Sequence, residues 1–356
     1  MMIIIIKAFL IFITTLLGTI YILPKLMHIA STFFVTKEES PDIKYSLMDS
    51  PDNKRKVHDI PKPLVGGIGM LIVVSLSSIL FVPPEDLNLR GYYSAVIILG
   101  ITGVLDDFKE LHHNWKFVMQ ILAVAIMLHY SDTALISLGN LLTFGSINIG
   151  IFAIAPVTIF CTVGVVNAIN MIDGLDGLAG GIALVSFIAF AFLAYHNQQM
   201  NMLLLSISLC GAVIGFLRYN WYPSKLFMGD AGSFFLGFSL AFLAIYITQK
   251  HDSLVPPVAA LLVLTVPIVD TLTVMVRRLI RGKNPFSADK NHLHHILLQY
   301  GLSVKSAVIV ILCLCAGFSL LGIVGTLCKV PEYYLFFVFF SFFILYYITT
   351  YYAHKN

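Results

Sequence analysis

The sequence predicts an all-α polytopic membrane protein with about eleven transmembrane helices. Three observations carry that expectation. Of its 356 residues 58% are hydrophobic and 12% charged, with mean hydropathy +0.88, a balance too apolar for a soluble domain. Apolar runs of roughly 16 to 23 residues recur from end to end, the length a helix needs to cross a bilayer. The runs are continuously apolar and do not alternate in short segments, which disfavours a β-barrel.

The spans fall at 3–23, 64–82, 91–105, 115–130, 151–168, 179–195, 202–218, 232–248, 254–276, 304–327 and 333–352. The first carries Lys7 and no small-x-small cleavage site, so it reads as an uncleaved span. Positive charge sets the orientation. The odd-numbered connections hold sixteen Lys and Arg, and the even-numbered ones only Arg90, Lys250 and Lys329. That bias places the N-terminus outside, and the odd connections and Lys355 in the cytoplasm.

Residues 135–150 carry Gly139-Asn140 and Gly145-Ser146 between apolar residues, a pattern for a small outer β-hairpin. Pro156 and Pro267 fall inside spans as sites for kinks, and Pro256-Pro257 marks a helix start. The five cysteines lie in or beside apolar runs without a C-x-x-C pair, and read as buried small hydrophobes. No long linker or repeat divides the chain, which reads as one domain over 1–356. A net charge of +3 with no basic stripe gives no case for nucleic acid.

Against this apolar background the polar clusters stand out, and all lie on connections assigned to the cytoplasmic face. Residues 167–181 read N-A-I-N-M-I-D-G-L-D-G-L-A-G-G. Asn167, Asn170, Asp173 and Asp176 recur every third residue, so on a helical path they share one face. Gly174 and Gly177 let the backbone turn close to a ligand. Oxygen groups of this kind suit a hard cation such as Mg²⁺, held by one or two protein oxygens plus substrate phosphates. The plainer reading is a polar, Gly-rich connection.

Leu105-Asp106-Asp107 closes the third span, with Lys109, His112, His113 and Lys116 following. Adjacent carboxylates at the end of an apolar helix are costly unless they meet a cation or a proton-bearing partner. Such a pair can bind metal, handle a proton of an incoming nucleophile, or form a solvated helix end beside a lysine. In R-Y-N-W-Y-P-S-K-L-F-M-G-D-A-G-S, residues 218–233, Asp230 stands where the eighth span begins. Free N–H groups at a helix start attract anions, and an ordinary N-cap aspartate is the alternative. Asn220 in that stretch could hydrogen-bond a base or sugar.

Residues 277–295 gather Arg281, His292, His294 and His295 into a cationic group suited to a diphosphate or a sugar. A zinc site there lacks Cys or Glu support. Asp270, inside the ninth span, reads as a structural residue hydrogen-bonded to Thr271 or Thr273. Lys54, Arg55, Lys56 and Lys62 close the first connection and could hold anionic lipid or phosphate; the plainer reading is positive-inside charge beside a membrane.

These motifs, in this order and on this span layout, resemble the polyprenyl-phosphate N-acetylhexosamine-1-phosphate transferases. Those are integral membrane enzymes that join a sugar-1-phosphate from a UDP-sugar to a lipid phosphate and release UMP. The form P-F-S-A-D-K-N-H-L-H-H is similar to the bacterial undecaprenyl-phosphate branch that uses UDP-GlcNAc. The branch that takes UDP-N-acetylmuramoyl-pentapeptide has a different histidine stretch. The resemblance implies Mg²⁺ on Asp230 with Asn170 as second ligand, Asp106 and Asp107 handling the lipid phosphate, and Lys116 binding phosphate. It also implies Asp173 and Asp176 near the nucleotide, and His292, His294 and His295 near the diphosphate and sugar.

Asn167, Asn220 and Arg281 are the remaining substrate-binding candidates, and the charged segment 36–60 has no assigned role. The implied reaction is phosphoryl transfer at the cytoplasmic face of a bacterial inner membrane, the first membrane step of cell-envelope glycan synthesis. The partners are the two substrates and the bilayer, with room for a homodimer. A secondary transporter is the rival reading; it predicts ionisable groups near the bilayer midplane and broken helices in paired halves.

Overall fold

The computed structural model describes residues 2–32, 47–49, 60–81, 87–250, 252–280, 282 and 292–353. In chain order the elements are α1 (Met2–Thr32), β1 (Met48–Asp49), β2 (Lys62–Pro63), α2 (Gly66–Phe81), α3 (Leu87–Lys109), α4 (His113–Tyr130) and α5 (Ile151–Ile172). They continue as α6 (Leu178–His196), α7 (Met200–Asn220), α8 (Gly229–Gln249), α9 (Pro257–Val263), α10 (Thr265–Ile280), α11 (Leu293–Gln299), α12 (Val304–Leu327) and α13 (Glu332–Ala353). Among the described residues eight helices, α1, α3, α5–α8, α12 and α13, are long and apolar enough to cross a membrane. The protein is an all-α polytopic membrane protein.

Several elements depart from the expected bounds. The ninth span is broken: α9 and α10 reach membrane-crossing length only together, and they are bent by 77°. Pro267 explains the place, because it has no N–H for the Val263 carbonyl and its ring crowds that group. The Leu264 amide closes on Ala260, and the ladder resumes with Ile268 on Leu264. The first helix runs on through Pro24, and α3 runs on to Lys109, so Asp106 and Asp107 are helical residues. Over 135–150 the structure has one isolated antiparallel bridge, Ser137 to Asn148, with no paired strands beyond it. The cysteines divide: Cys210 and Cys315 are buried, whereas Cys313 and Cys328 are exposed. Cys313 lies on peripheral α12 and Cys328 caps its end, where a small apolar side chain suits lipid as well as it suits a core.

At the centre stands α8, with 94% of its most apolar stretch buried and α2, α3, α5, α6 and α9 packed around it. Its Phe234, Phe235, Phe238 and Phe242 are among the largest fully buried side chains. A helix that is apolar all round belongs in such a position. Glycine sets the closest approaches. A Cβ on Gly67 would collide with the Gly232 backbone and one on Gly103 with the Ala231 backbone, so α2 and α3 lie directly on the first turn of α8. Buried hydroxyls turn back on their own helix, Ser206 onto Met202 and Ser239 onto Phe235, each at 2.7 Å. A hydroxyl in an apolar helix interior is satisfied in this way by its own backbone.

The entry to α2 is stitched to the entry to α8. Phe227 N–H donates to the Pro63 carbonyl at 2.9 Å, Gly66 N–H to Phe227 at 3.0 Å, and Gly67 N–H to Met228 at 2.9 Å. The C-terminal ends of α3, α5 and α7 thereby meet the N-terminal ends of α4, α6 and α8 at one end of the bundle.

Candidate active site

The first turn of α8 collects the charge. Asp107, in the last turn of α3, accepts the Asp230 N–H at 2.8 Å and the Ala231 N–H at 3.3 Å, one on each carboxylate oxygen. Two donors that a helix start leaves without partners are thereby satisfied from another helix. Gly229 precedes them at φ +72°, and any side chain there would strike the Asp107 carboxylate. Asp106 accepts the Leu111 N–H at 2.7 Å and is ion-paired with Lys116. Lys116, in the first turn of α4, also donates to Asp230 Oδ2 at 3.2 Å. The other Asp230 oxygen accepts from Asn170 Nδ2 at 2.8 Å, and the same amide group reaches Ser233 Oγ at 2.9 Å. Side chains from α4 and α5 therefore meet on one carboxylate of α8.

Asn167 lies one turn back along α5 and faces α4, donating to Gln120 Oε1 at 2.7 Å and to the Val163 carbonyl at 2.8 Å. Asp173 ends α5, where burial, with the Asp230 and Asp176 carboxylates next in importance, pushes its carboxyl up to about 7. Asp176 accepts the Ser224 N–H at 2.8 Å and lies 3.8 Å from Lys62 Nζ. Lys62 also donates to Ser224 Oγ at 2.8 Å. This lysine, one of the basic residues that close the first connection, belongs to the site's frame. The buried Asn220 accepts the Gly177 N–H at 3.0 Å and donates to the Leu226 carbonyl at 2.9 Å. Both ends of its amide thus tie backbone to backbone.

The histidines sit on the other side of the 173–177 loop. His292 Nδ1 is 2.7 Å from Asp270 Oδ2, and Asp270 Oδ1 accepts the Leu293 N–H at 2.8 Å and the Tyr346 hydroxyl at 2.6 Å. Asp270 therefore serves His292 and not its neighbours: the Thr271 and Thr273 hydroxyls have no hydrogen-bond partner among the described residues. His294 stacks on His292 with ring centroids 5.8 Å apart and contacts His295 at 4.2 Å. A side chain at Gly174 would overlap the His294 ring, which places this group against the loop after Asp173. Burial, with His295 next, pushes the His294 imidazole down to about 3, so the expected cationic character does not extend to it.

Arg281 and the basic run Lys54, Arg55 and Lys56 lie outside the described residues. Among the described residues no three His, Cys, Asp or Glu side chains converge as a ready metal cage. Of the expected residues, the structure brings Asp106, Asp107, Lys116, Asn170 and Asp230 into direct contact, with Asp173, Asp176 and the histidines around the adjoining loop.

The sequence profile of glycosyl transferase family 4 matches residues 89–248, from α3 to the end of α8. A Bacillus subtilis (strain 168) protein named probable undecaprenyl-phosphate N-acetylglucosaminyl 1-phosphate transferase is 34% identical over 321 residues, 88% of this chain and 83% of its own. The Yersinia pestis undecaprenyl-phosphate alpha-N-acetylglucosaminyl 1-phosphate transferase is 33% identical, over 85% of this chain and 84% of its own. The Haemophilus influenzae protein of the same name is 32% identical, over 84% and 85%. Matched along most of its length, with the polar cluster inside the matched region, the chain belongs to the polyprenyl-phosphate N-acetylhexosamine-1-phosphate transferase family, glycosyl transferase family 4.

Proposed function

We propose that the protein transfers N-acetylglucosamine-1-phosphate from UDP-GlcNAc to undecaprenyl phosphate and releases UMP, at the cytoplasmic face of a bacterial inner membrane. The observation that carries this reading is the meeting of Lys116 and Asn170 on Asp230 at the start of α8, with Asp106 ion-paired to the same lysine. The names of the relatives supply the substrates. A lipid phosphate oxygen attacks the β-phosphorus, the bond to the bridging oxygen breaks, and that oxygen leaves with UMP. Such a transfer needs alignment and charge neutralisation more than covalent chemistry.

Mg²⁺ fits the donor set. Lys116 bridges the Asp106 and Asp230 carboxylates and Asp107 lies on the backbone of the same turn of α8, so the site offers the oxygen atoms a hard cation prefers. Asp230 would hold the ion, with Asn170 joining once its amide is turned to present Oδ1. When bound, the ion supplies neutralisation of the diphosphate charge as UMP departs.

The rest of the work falls to the chain. Lys116 binds a phosphate oxygen, and Asp106 aims it. A phosphate monoester is largely ionised at neutral pH, so Asp106 positions the lipid phosphate without having to deprotonate it. Asp107 sets the register of Asp230 by capping α8. Asp173 and Asp176 face the nucleotide side, and His292, His294 and His295 the diphosphate and sugar.

The whole chain acts as one transferase domain with the N-terminus outside and eleven spans. These are the eight long helices, the bent α9–α10 pair, and the shorter α2 and α4. The charge bias of the connections supports that orientation. Gathering of the carboxylates at helix ends, away from the middle of the bundle, favours a transferase over a transporter.

The test is purified protein in detergent with undecaprenyl phosphate and a panel of UDP-sugars. UDP-GlcNAc should give UMP and a GlcNAc-diphosphate lipid, in a reaction stopped by EDTA and restored by Mg²⁺. Asp230→Ala should abolish it while the protein still inserts and melts cooperatively. Product formed only from UDP-N-acetylmuramoyl-pentapeptide would overturn the sugar assignment. Full turnover in EDTA would overturn the metal.

A further inference from the structure

A buried carboxylate stands behind the histidines, and the reaction outlined above leaves it without a task. Asp270, on α10, is 1% exposed. It divides its oxygens, Oδ2 to His292 Nδ1 at 2.7 Å, and Oδ1 to the Leu293 N–H at 2.8 Å and the Tyr346 hydroxyl at 2.6 Å. An imidazole whose Nδ1 faces a carboxylate carries a proton on that nitrogen, which leaves Nε2 for the ligand.

We propose that Asp270 is a positioning residue for the phosphoryl transfer: it fixes the tautomer and ring orientation of His292, so that Nε2 is the nitrogen presented to the substrate diphosphate. The inference rests on the transferase reading above.

Three features support it. First, His294 has no carboxylate of its own. Its Nδ1 is buried without a partner among the described residues, and its ring lies within 8° of parallel to that of His292. Of the two stacked rings, His292 is the one whose nitrogen is held by Asp270. Second, Asp270 receives the Leu293 N–H, so the same carboxylate sets where α11, which carries His294 and His295, begins. Third, the carboxylate is itself held from behind. Tyr346 binds it from α13, and Arg277 of α10 latches the same helix through the Tyr347 carbonyl at 3.1 Å and Thr350 Oγ1. A peripheral, lipid-facing helix is thereby part of the frame behind the histidines.

Asp270→Asn separates a positioning role from a purely structural one. Its amide oxygen still accepts from Leu293 and Tyr346, while its amide nitrogen donates to His292 and drives the imidazole proton to Nε2. With UDP-GlcNAc and undecaprenyl phosphate, kcat should fall about 100-fold or more while KM for UDP-GlcNAc stays within about threefold. Ring-15N spectra of histidine-labelled protein, with the His292 signal identified by its loss in His292→Gln, should show Nδ1–H in the parent chain and Nε2–H in Asp270→Asn. Tyr346→Phe keeps both the ring and the carboxylate, and should lose about three- to tenfold in kcat.

Parent-level kcat in Asp270→Asn, or a His292 tautomer that does not change, overturns the role. So does a loss of kcat that merely follows loss of the melting transition. The spectra need no turnover. A parent chain that shows Nδ1–H on His292 yet makes no UMP from any donor would therefore refute the transferase reading and leave the Asp270–His292 contact standing.

Discussion

Asp107 on α3 caps α8 across 123 residues of sequence, accepting the Asp230 N–H at 2.8 Å and the Ala231 N–H at 3.3 Å. The carboxyl group accepts at the positive end of a helix dipole, and its second oxygen doubles the attachment. Asp107→Ala should lower stability by about 1–2 kcal/mol and lower kcat at least about tenfold, because Asp230 loses its register. Asp107→Asn keeps one acceptor and should lose about half as much stability. Thermal unfolding in detergent, run beside UMP release, checks both. An alanine variant that melts like the parent chain would show that the cap is not what holds this turn.

Lys116 is bound to Asp106 and Asp230 at once. Lys116→Gln leaves two carboxylates facing one another and removes the charge proposed to hold a phosphate oxygen. The expected loss in kcat/KM is about 100- to 1000-fold, the scale of removing one electrostatic contact to a developing charge. Lys116→Arg keeps the charge and should recover part of it. Kinetics on the three proteins decide the matter, and a fully active glutamine variant would take the lysine out of the mechanism.

His294 gives stability a pH signature. Its folded value of about 3 lies below the ordinary 6.5, so the unfolded chain takes up a proton that the folded chain excludes. The contribution of this group is fully present above pH 6.5 and is lost as pH falls from there toward 3. Acidification from about pH 7.5 to about 5.5 should remove up to about 1.4 kcal/mol through this residue, and His294→Phe should flatten that part of the curve. Melting of both proteins across that window is the measurement. Parallel curves would contradict it.

Gly103 leaves no room for a side chain against the Ala231 backbone, whereas nothing lies within 4 Å of a Cβ built on Gly317. Gly103→Val should destabilise the fold by about 1–3 kcal/mol or more, since backbone on both sides would have to move. Gly317→Ala should be neutral or slightly stabilising in its helix. Yield and melting temperature of the pair make the comparison.

The membrane class follows from run length, because bilayer crossing is a local property of a helix. The place of the α9–α10 bend follows equally locally, from Pro267. The polar motifs were legible as candidates for the same reason: regular spacing of Asn and Asp in an apolar chain has no solvation purpose. What stayed hidden is how each polar group is spent. Asp107 is used on backbone N–H groups, and Asn220 ties Gly177 to Leu226. Asp270 reaches past Thr271 and Thr273 to His292, 22 residues on, and Lys62 reaches Ser224, 162 residues on. No periodicity encodes such partners. They are set by which helices pack together, not by spacing along one of them. Helix ends were hidden too, since α3 outlasts its apolar run by a turn that is held through long-range contacts.

The residue on which the polar contacts converge sits at the head of the most enclosed helix in the bundle. A charge mounted on so stiff a pedestal is already aimed before any ligand arrives, and little reorganisation energy need be met when the reacting groups change charge. Adaptation to donors of different size would then have to come from the histidine side of the site, where α11 carries His294 and His295, while the head of α8 stays still.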